Sequence, residues 1–242
     1  MVKLLSGPNF ELAPITSFNI EGTHIFIPIP DECYENTKSA ESNIDSIDTD
    51  AIYDITNPDF FLIKYLLKTE FSYSQSDGDH KIGDVYASID LLKVDQHRPE
   101  SCVSLFSRED FLNFYLSILK GDEVSIVKSI NDKEKTDKYL IIPKSIEEIK
   151  ELKFEGASWL FAVSGYAEVT KPYRRFITPI TNNHILSIMV SIGGFDFGSV
   201  ELEQQLVAEV DQYILDFIKS IRIDYSPETL AEIQRVRGDV TA

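Results

Sequence analysis

Arg175-Phe-Ile-Thr-Pro-Ile-Thr181 and Ile185-Leu-Ser-Ile-Met-Val-Ser-Ile192 are two apolar, β-rich runs joined by Asn182-Asn183-His184. Turn-forming residues between two such runs predict a β-hairpin. His184 is expected in the turn, exposed to solvent. Gly193-Gly194-Phe195-Asp196-Phe197-Gly198 follows, and beyond it Leu202, Leu206, Val210, Ile214, Phe217 and Ile221 recur at helical spacing. That periodicity predicts an amphipathic helix laid back on the sheet. The helix runs into Ser220-Ile-Arg-Ile223, where the core is expected to close before Pro227.

The rest of the chain is read outward from this unit. Phe60 to Ser74 and Ile82 to Val94 flank Ser76-Asp-Gly-Asp79, and Asp-Gly between β-rich runs signals a second hairpin. Asn57-Pro58 could open a helix instead, but Tyr65, Leu67, Phe71 and Tyr73 keep one parity, which favours a strand. Phe18 to Pro30 reads as an opening strand with Ile25, Ile27 and Ile29 on one face. Ser107-Arg-Glu-Asp110 resembles an acidic capping box and starts a helix that Gly121 is expected to close. Glu123 to Ile130 alternates like a strand, and Ser145-Ile-Glu-Glu148 caps a short helix to about Leu152. Phe154 to Val169, with Trp159, Phe161 and Val163 on one parity, fits a long central strand. These elements predict one α+β domain over residues 1–223, a mainly antiparallel sheet sandwiched by helices with a long terminal helix on the last hairpin. Residues 224–242 read as a partly helical, frayed tail.

Charge narrows the partners. The chain carries 40 acidic and 23 basic residues, a net −17, which argues against binding nucleic-acid phosphates or an anionic membrane surface. A basic protein partner fits better, although high net charge also serves solubility. Between Asp31 and Asp59, nine carboxylates face one base, Lys38, so this acidic insert reads as a solvated loop or short exposed helix. Glu35, Glu41, Asp45, Asp48, Asp50 and Asp54 are the expected partner-binding residues, with Asp77 and Asp79 as a second patch. The first residues lack the apolar core of a secretory signal, and no run reaches the roughly 20 apolar residues of a membrane span. A cytoplasmic protein is expected, with Cys33 and Cys102 as reduced thiols.

No motif in the sequence assembles a reaction. His24, His80, His97 and His184 are scattered, with no metal-ligand spacing among them. Asp45, Asp48 and Asp50 lack the glycine and final glutamate of a calcium loop. Val163-Ser164-Gly165 is no nucleophile elbow, and the glycines at 193–198 have neither Walker nor dinucleotide spacing. Lys171, Arg174 and Arg175 form a compact basic cluster, flanked by Tyr166 and Tyr173, expected to pair with local carboxylates. No catalytic residue, metal site or cofactor is predicted. A further possibility is a ligand pocket between the sheet and the closing helix, lined by Trp159, Phe161 and Tyr213, residues that plain core packing also explains.

The opening Phe18-Asn-Ile-Glu-Gly-Thr-His-Ile-Phe-Ile-Pro-Ile-Pro30, the late hairpin from Tyr173 to Ile192 and the closing Ile218-Lys-Ser-Ile-Arg-Ile223 together resemble the PsbP-like α/β/α sandwich. The resemblance spans Phe18 to Ile223. It implies a scaffold that binds, since members include adaptor proteins, photosystem accessory subunits and immunity proteins that neutralise toxins delivered by type VI secretion. The acidic insert and the lack of a catalytic set look most like the immunity branch. That branch implies a non-enzymatic protein that covers the basic active-site region of a cognate toxin, without cofactor, nucleic acid or membrane. The alternative is a small-ligand or adaptor module on the same fold.

Overall fold

Alternating side chains in two long runs decide the architecture. The computed structural model describes residues 4–30, 53–56, 62–76, 80–94, 102, 104–130, 133–154, 156–167, 171–195 and 199–238. Among them, β6 (Lys81–Lys93) and β11 (His184–Gly194) pair antiparallel without a register break, from His184 opposite Lys93 to Gly194 opposite Gly83. Strands β5 (Leu62–Gln75) and β10 (Tyr173–Pro179) flank them. β1 (Leu5–Ser6) and β4 (Ile55–Thr56) pair with β5, while β9 (Ala157–Tyr166) continues the sheet beyond β10 and pairs with β7 (Leu140–Ile141) and β8 (Lys150–Phe154). This mainly antiparallel sheet carries helices on both faces. The α+β sandwich expected from sequence is the observed fold class.

One face is sealed. Val85, Ala87, Ile89, Ile188, Val190 and Phe176 point to α3 (Val200–Ser220), whose Leu206, Val210, Ile214 and Phe217 are buried on them. Phe10, Phe71 and Phe217 pack mutually, edge-on or tilted, with ring centroids 5.1–5.3 Å apart. A small sheet of β2 (Ile15–Ile20), β3 (Thr23–Pro28) and β12 (Arg222–Asp224) completes the cover with Phe18, Ile20, Ile25, Ile27 and Ile223. The expected single opening strand is thus a hairpin, turned at Glu21 and Gly22, both with positive φ as its type of turn requires. Between Phe71, Val190, Ile214 and Phe217 this face has no room for a water molecule, and Trp159 is wholly buried.

The opposite face carries α1 (Arg108–Ile130), whose Phe111, Leu112, Tyr115 and Leu119 pack on Leu92, Ile177 and Ile185. The helix runs nine residues past Gly121, replacing the strand expected over 123–130. Val124, Ile126, Val127 and Ile130 fit either periodicity, and continuing a formed helix avoids a new nucleation cost. Arg175 on β10 pairs with Asp122 and Lys144 with Glu123, pinning this second half down. The helix expected from Ser145 shrinks to one 3₁₀ turn, Ile146–Glu148, without a side-chain cap. Pairing of β8 with β9 across Gly156 takes the following residues into the sheet instead. β9 accordingly lies toward one side of the sheet, not at its centre. In the expected partly helical tail, residues 227–237 form α4 (Pro227–Arg237), capped by Ser226 and held by Arg237 to the Phe106 carbonyl. Among the described residues no helix is long and apolar enough to cross a membrane.

Phe217 touches both other rings of the sealed face, so its loss leaves a cavity that no neighbour fills. Phe217→Ala is expected to lower the unfolding free energy by about 3–5 kcal/mol, read by urea denaturation followed by Trp159 fluorescence. A loss below about 1 kcal/mol would mean that α3 is not the main cover of this face.

Candidate functional site

The α1 face is only partly covered, and the reason lies in the strand sequences. On the parity facing α1, β6 presents Tyr86, Ser88, Asp90 and Leu92, and β11 presents Ile185, Ser187, Met189 and Ser191. The apolar end of each row is buried under α1. The polar end cannot cover itself with a helix without stranding hydrogen-bonding groups, and it is left open.

A β-bulge shapes the side wall. In the β5–β6 ladder Tyr65 faces Asp90, but the next pair is Leu67 with Ile89. The extra residue, Leu66, reverses the parity of everything beyond it. Tyr65 therefore faces the α1 side while Leu67, Phe71 and Tyr73 are buried on the α3 side, which corrects the single parity expected for the four. Lys68 is brought to the same side as Tyr65, with its ammonium 4.8 Å from the ring centroid.

The result is a cleft of about 490 Å3 between sheet and helix. Its floor is Ser88, Asp90 and Leu92 of β6, Ser187 and Met189 of β11, and Arg175 and Ile177 of β10; Ile63, Tyr65 and Lys68 form one wall and Tyr115, Ile118 and Asp122 of α1 the roof. The roof positions lie three and four residues apart, on one helix face. A second depression of about 210 Å3 continues it past Lys68, Ser88 and Met189 to the exposed rings of Tyr86 and Tyr173.

Charge in the cleft is unevenly satisfied. Arg175 donates to Asp122, and Tyr115 donates its hydroxyl to the Arg175 carbonyl at 3.3 Å. Burial pushes the Tyr115 hydroxyl to a pKa above its ordinary value. Asp90 differs: its carboxylate accepts from the Ser88 hydroxyl at 2.9 and 3.2 Å and has no ion pair among the described residues. Burial pushes its pKa up to about 6, against the opposing effects of the Ser88 hydrogen bond and the charges of Lys68 and Arg175. A half-buried carboxylate on a central strand face, held without a counter-ion, is the strongest chemical feature of the cleft.

Sequence reasoning did not find Asp90. The signal was there: polar residues at alternate positions of two long strands, one of them an acid, mark a sheet face that is not core. Of the expected partner-binding residues, Glu35, Glu41, Asp45, Asp48, Asp50, Asp77 and Asp79 lie outside the described residues. Asp54 lies within them. Its carboxylate accepts from the Tyr65 backbone N–H at 2.8 Å and lies 3.6 Å from Lys64, so it props the bulge at the cleft wall. The basic cluster pairs locally, as expected: Arg174 with Asp211 at 2.8 Å, Arg175 with Asp122 and Lys171 with Glu203 at 3.3 Å.

His184 is not a solvent-exposed turn residue; it is 1% exposed. Tyr53 lies 3.1 Å from its Nε2, while Thr181 and Glu21 lie 3.0 and 3.5 Å from its Nδ1. A carboxylate beside Nδ1 favours the proton there, leaving Nε2 to accept from Tyr53. The hydrogen bond with His184 holds the Glu21 carboxyl below its usual range. The chain Tyr53–His184–Glu21 ties the small sheet, the last hairpin and the end of the acidic insert together, and offers no nucleophile. Among the described residues no group of three histidine, cysteine or acidic side chains is placed to hold a metal ion. Comparison with protein-family models, curated proteins and solved structures finds no match to this chain.

Because the folded state keeps a proton on Asp90 up to about pH 6 while the unfolded chain releases it near its ordinary 3.8, this group's contribution is most favourable below pH 4. It falls as pH rises to 6 and is flat above. Asp90→Asn is expected to remove that slope and to raise stability at pH 7.5 by about 1–2 kcal/mol, measured by denaturation across pH 4–8. An unchanged slope would mean that the carboxylate is well solvated. Glu21 acts in a different window: its stabilisation holds above its ordinary value of 4.5 and is lost as pH falls below it. Glu21→Gln should therefore blunt the acid limb of the same profile and leave the pH 4.5–6 limb intact.

Proposed function

We propose that the protein acts by binding, without catalysis, and that its partner is a basic protein held against the cleft side of the sheet. In its specific form this is an immunity protein of the cytoplasm that neutralises a cognate bacterial toxin by covering the toxin's basic active-site region. The observation that carries the reading is where the acidic insert returns to the sheet. Its end pairs with the cleft wall, Ile55 with Ile63 and Thr56 with Leu62, and Asp54 holds the N–H of Tyr65. Ile63 and Tyr65 themselves line the cleft. The described end of the most acidic stretch of the sequence, Asp54 to Thr56, is thereby fixed beside an open, partly apolar groove. Long-range attraction from the first would steer a cationic partner, and the second would supply contact area.

A second reading has its own support. The cleft's volume falls within the range of roughly 300–1,000 Å3 common to small-molecule sites, and its lining is mainly apolar with a few polar groups. A ligand-binding or adaptor module on the same fold would use it directly. This places the pocket on the face opposite to the one anticipated from Trp159, Phe161 and Tyr213.

Affinity capture of the tagged protein from its source cells at low and moderate salt tests the first reading. One stoichiometric basic partner, weakening as salt rises, supports it; a bait that retains nothing counts against it. With that partner in hand, converting Glu35, Glu41, Asp45 and Asp48 to their amides is expected to slow association about tenfold at low salt and to flatten its salt dependence. Unchanged association kinetics would place the contact elsewhere.

A further inference from the structure

At the centre of the cleft, Asp90 has no ion pair among the described residues. Asp90 sits on the middle pair of strands, with a hydroxyl as its hydrogen-bond partner. The cations that face it are committed or distant: Arg175 is held by Asp122, and Lys68 lies exposed over Tyr65, neither within ion-pair distance of the carboxylate. Asp54 adds a further negative charge nearby. Beyond the Ser88 and Ser187 hydroxyls the cleft offers apolar surface, with Ile63 in its wall, Leu92, Ile177 and Met189 in its floor and Ile118 in its roof. An anionic guest would meet the carboxylate head-on, and a neutral one would desolvate it without compensation. A cation on an apolar stem satisfies both features, since the stem removes apolar wall from water and the charge pairs with Asp90 in a partly dry site.

We infer that the cleft is a binding site for a small amphipathic organic cation, an amine on an aromatic or alkyl stem, with the ammonium on Asp90 and the stem between the sheet and α1. This rests on the second reading given above, that the cleft takes a small ligand, and adds the class of ligand.

Methionine occurs at two positions, Met1 and Met189, and Met189 lies on the cleft floor. Protein labelled with [13C-methyl]methionine therefore carries a reporter in the site, assigned by the resonance that disappears in Met189→Leu. At pH 7.5 three probes of matched shape are titrated: phenethylamine, neutral 2-phenylethanol and anionic 3-phenylpropionate. Phenethylamine is expected to shift the Met189 methyl saturably with Kd on the order of a millimolar, as suits so small a ligand, and to bind at least tenfold more tightly than the other two. Asp90→Asn is expected to retain the fold and to weaken phenethylamine at least tenfold.

Equal or tighter binding of 3-phenylpropionate or 2-phenylethanol at Met189 would overturn the cation assignment while leaving a ligand cleft. Phenethylamine binding that Asp90→Asn leaves unchanged would do the same. No shift of Met189 with any probe would overturn both the assignment and the small-ligand reading.

Discussion

The unbroken pairing of β6 with β11 is the constraint from which the rest follows. Eleven consecutive residue pairs fix which side chains face which way, and a slip of one residue would send every one of them to the other side. With this register, Val85, Ala87, Ile89, Ile188 and Val190 make one continuous apolar surface, and α3 with the small sheet has something to seal. The same register gathers Ser88, Asp90, Ser187 and Met189 on the reverse side. A closed face and an open one are two aspects of a single alternation.

The outer strands adjust to that frame. Leu66 in β5 is the extra residue that lets a strand follow β6 while presenting Tyr65 and Lys68 to the cleft and Leu67 and Phe71 to the core. Asp54 satisfies the N–H beside this irregularity, so the acidic insert is coupled to the site by a backbone hydrogen bond and not by charge alone. At the far end of the ladder Gly83 lies against Phe195, so closely that a Cβ there would sit 2.4 Å from the ring. Phe195 itself is fully buried with positive φ, and the sheet's end is closed by this contact instead of by another helix.

Much of the fold was legible because it rests on local pattern. The hairpins around Asp77-Gly78 and Asn182-Asn183, the period of α3 and the start of α1 each announce themselves within a dozen residues. What was not legible depends on partners distant in sequence. The residues after Gly121 are helical because Asp122 and Glu123 meet Arg175 and Lys144, and Ser145 loses its helix to a strand pairing beyond Gly156. His184 is buried because Tyr53 and Glu21 arrive from far upstream to satisfy both ring nitrogens. Asp90 escaped for the opposite reason. Its alternating polar neighbours mark an open strand face, but the residues that wall and roof it, Tyr65, Lys68 and Tyr115, come from other elements. Motifs of chemistry are recognisable in loops and clusters, whereas the cleft is made from the middle of the sheet.

The small sheet carries a consequence for how the chain reaches this state during synthesis. Ile25 of β3 pairs with Ile223 of β12, nearly 200 residues later. The β2–β3 hairpin is synthesised well before its third strand, β12. For the time taken to translate the intervening chain, on the order of ten seconds or more at common elongation rates, the edge of β3 away from β2 has no partner strand beside it. Such long-range closure is slow and aggregation-exposed. The outer edge of β3 thus stays open until nearly all of the described fold has been made.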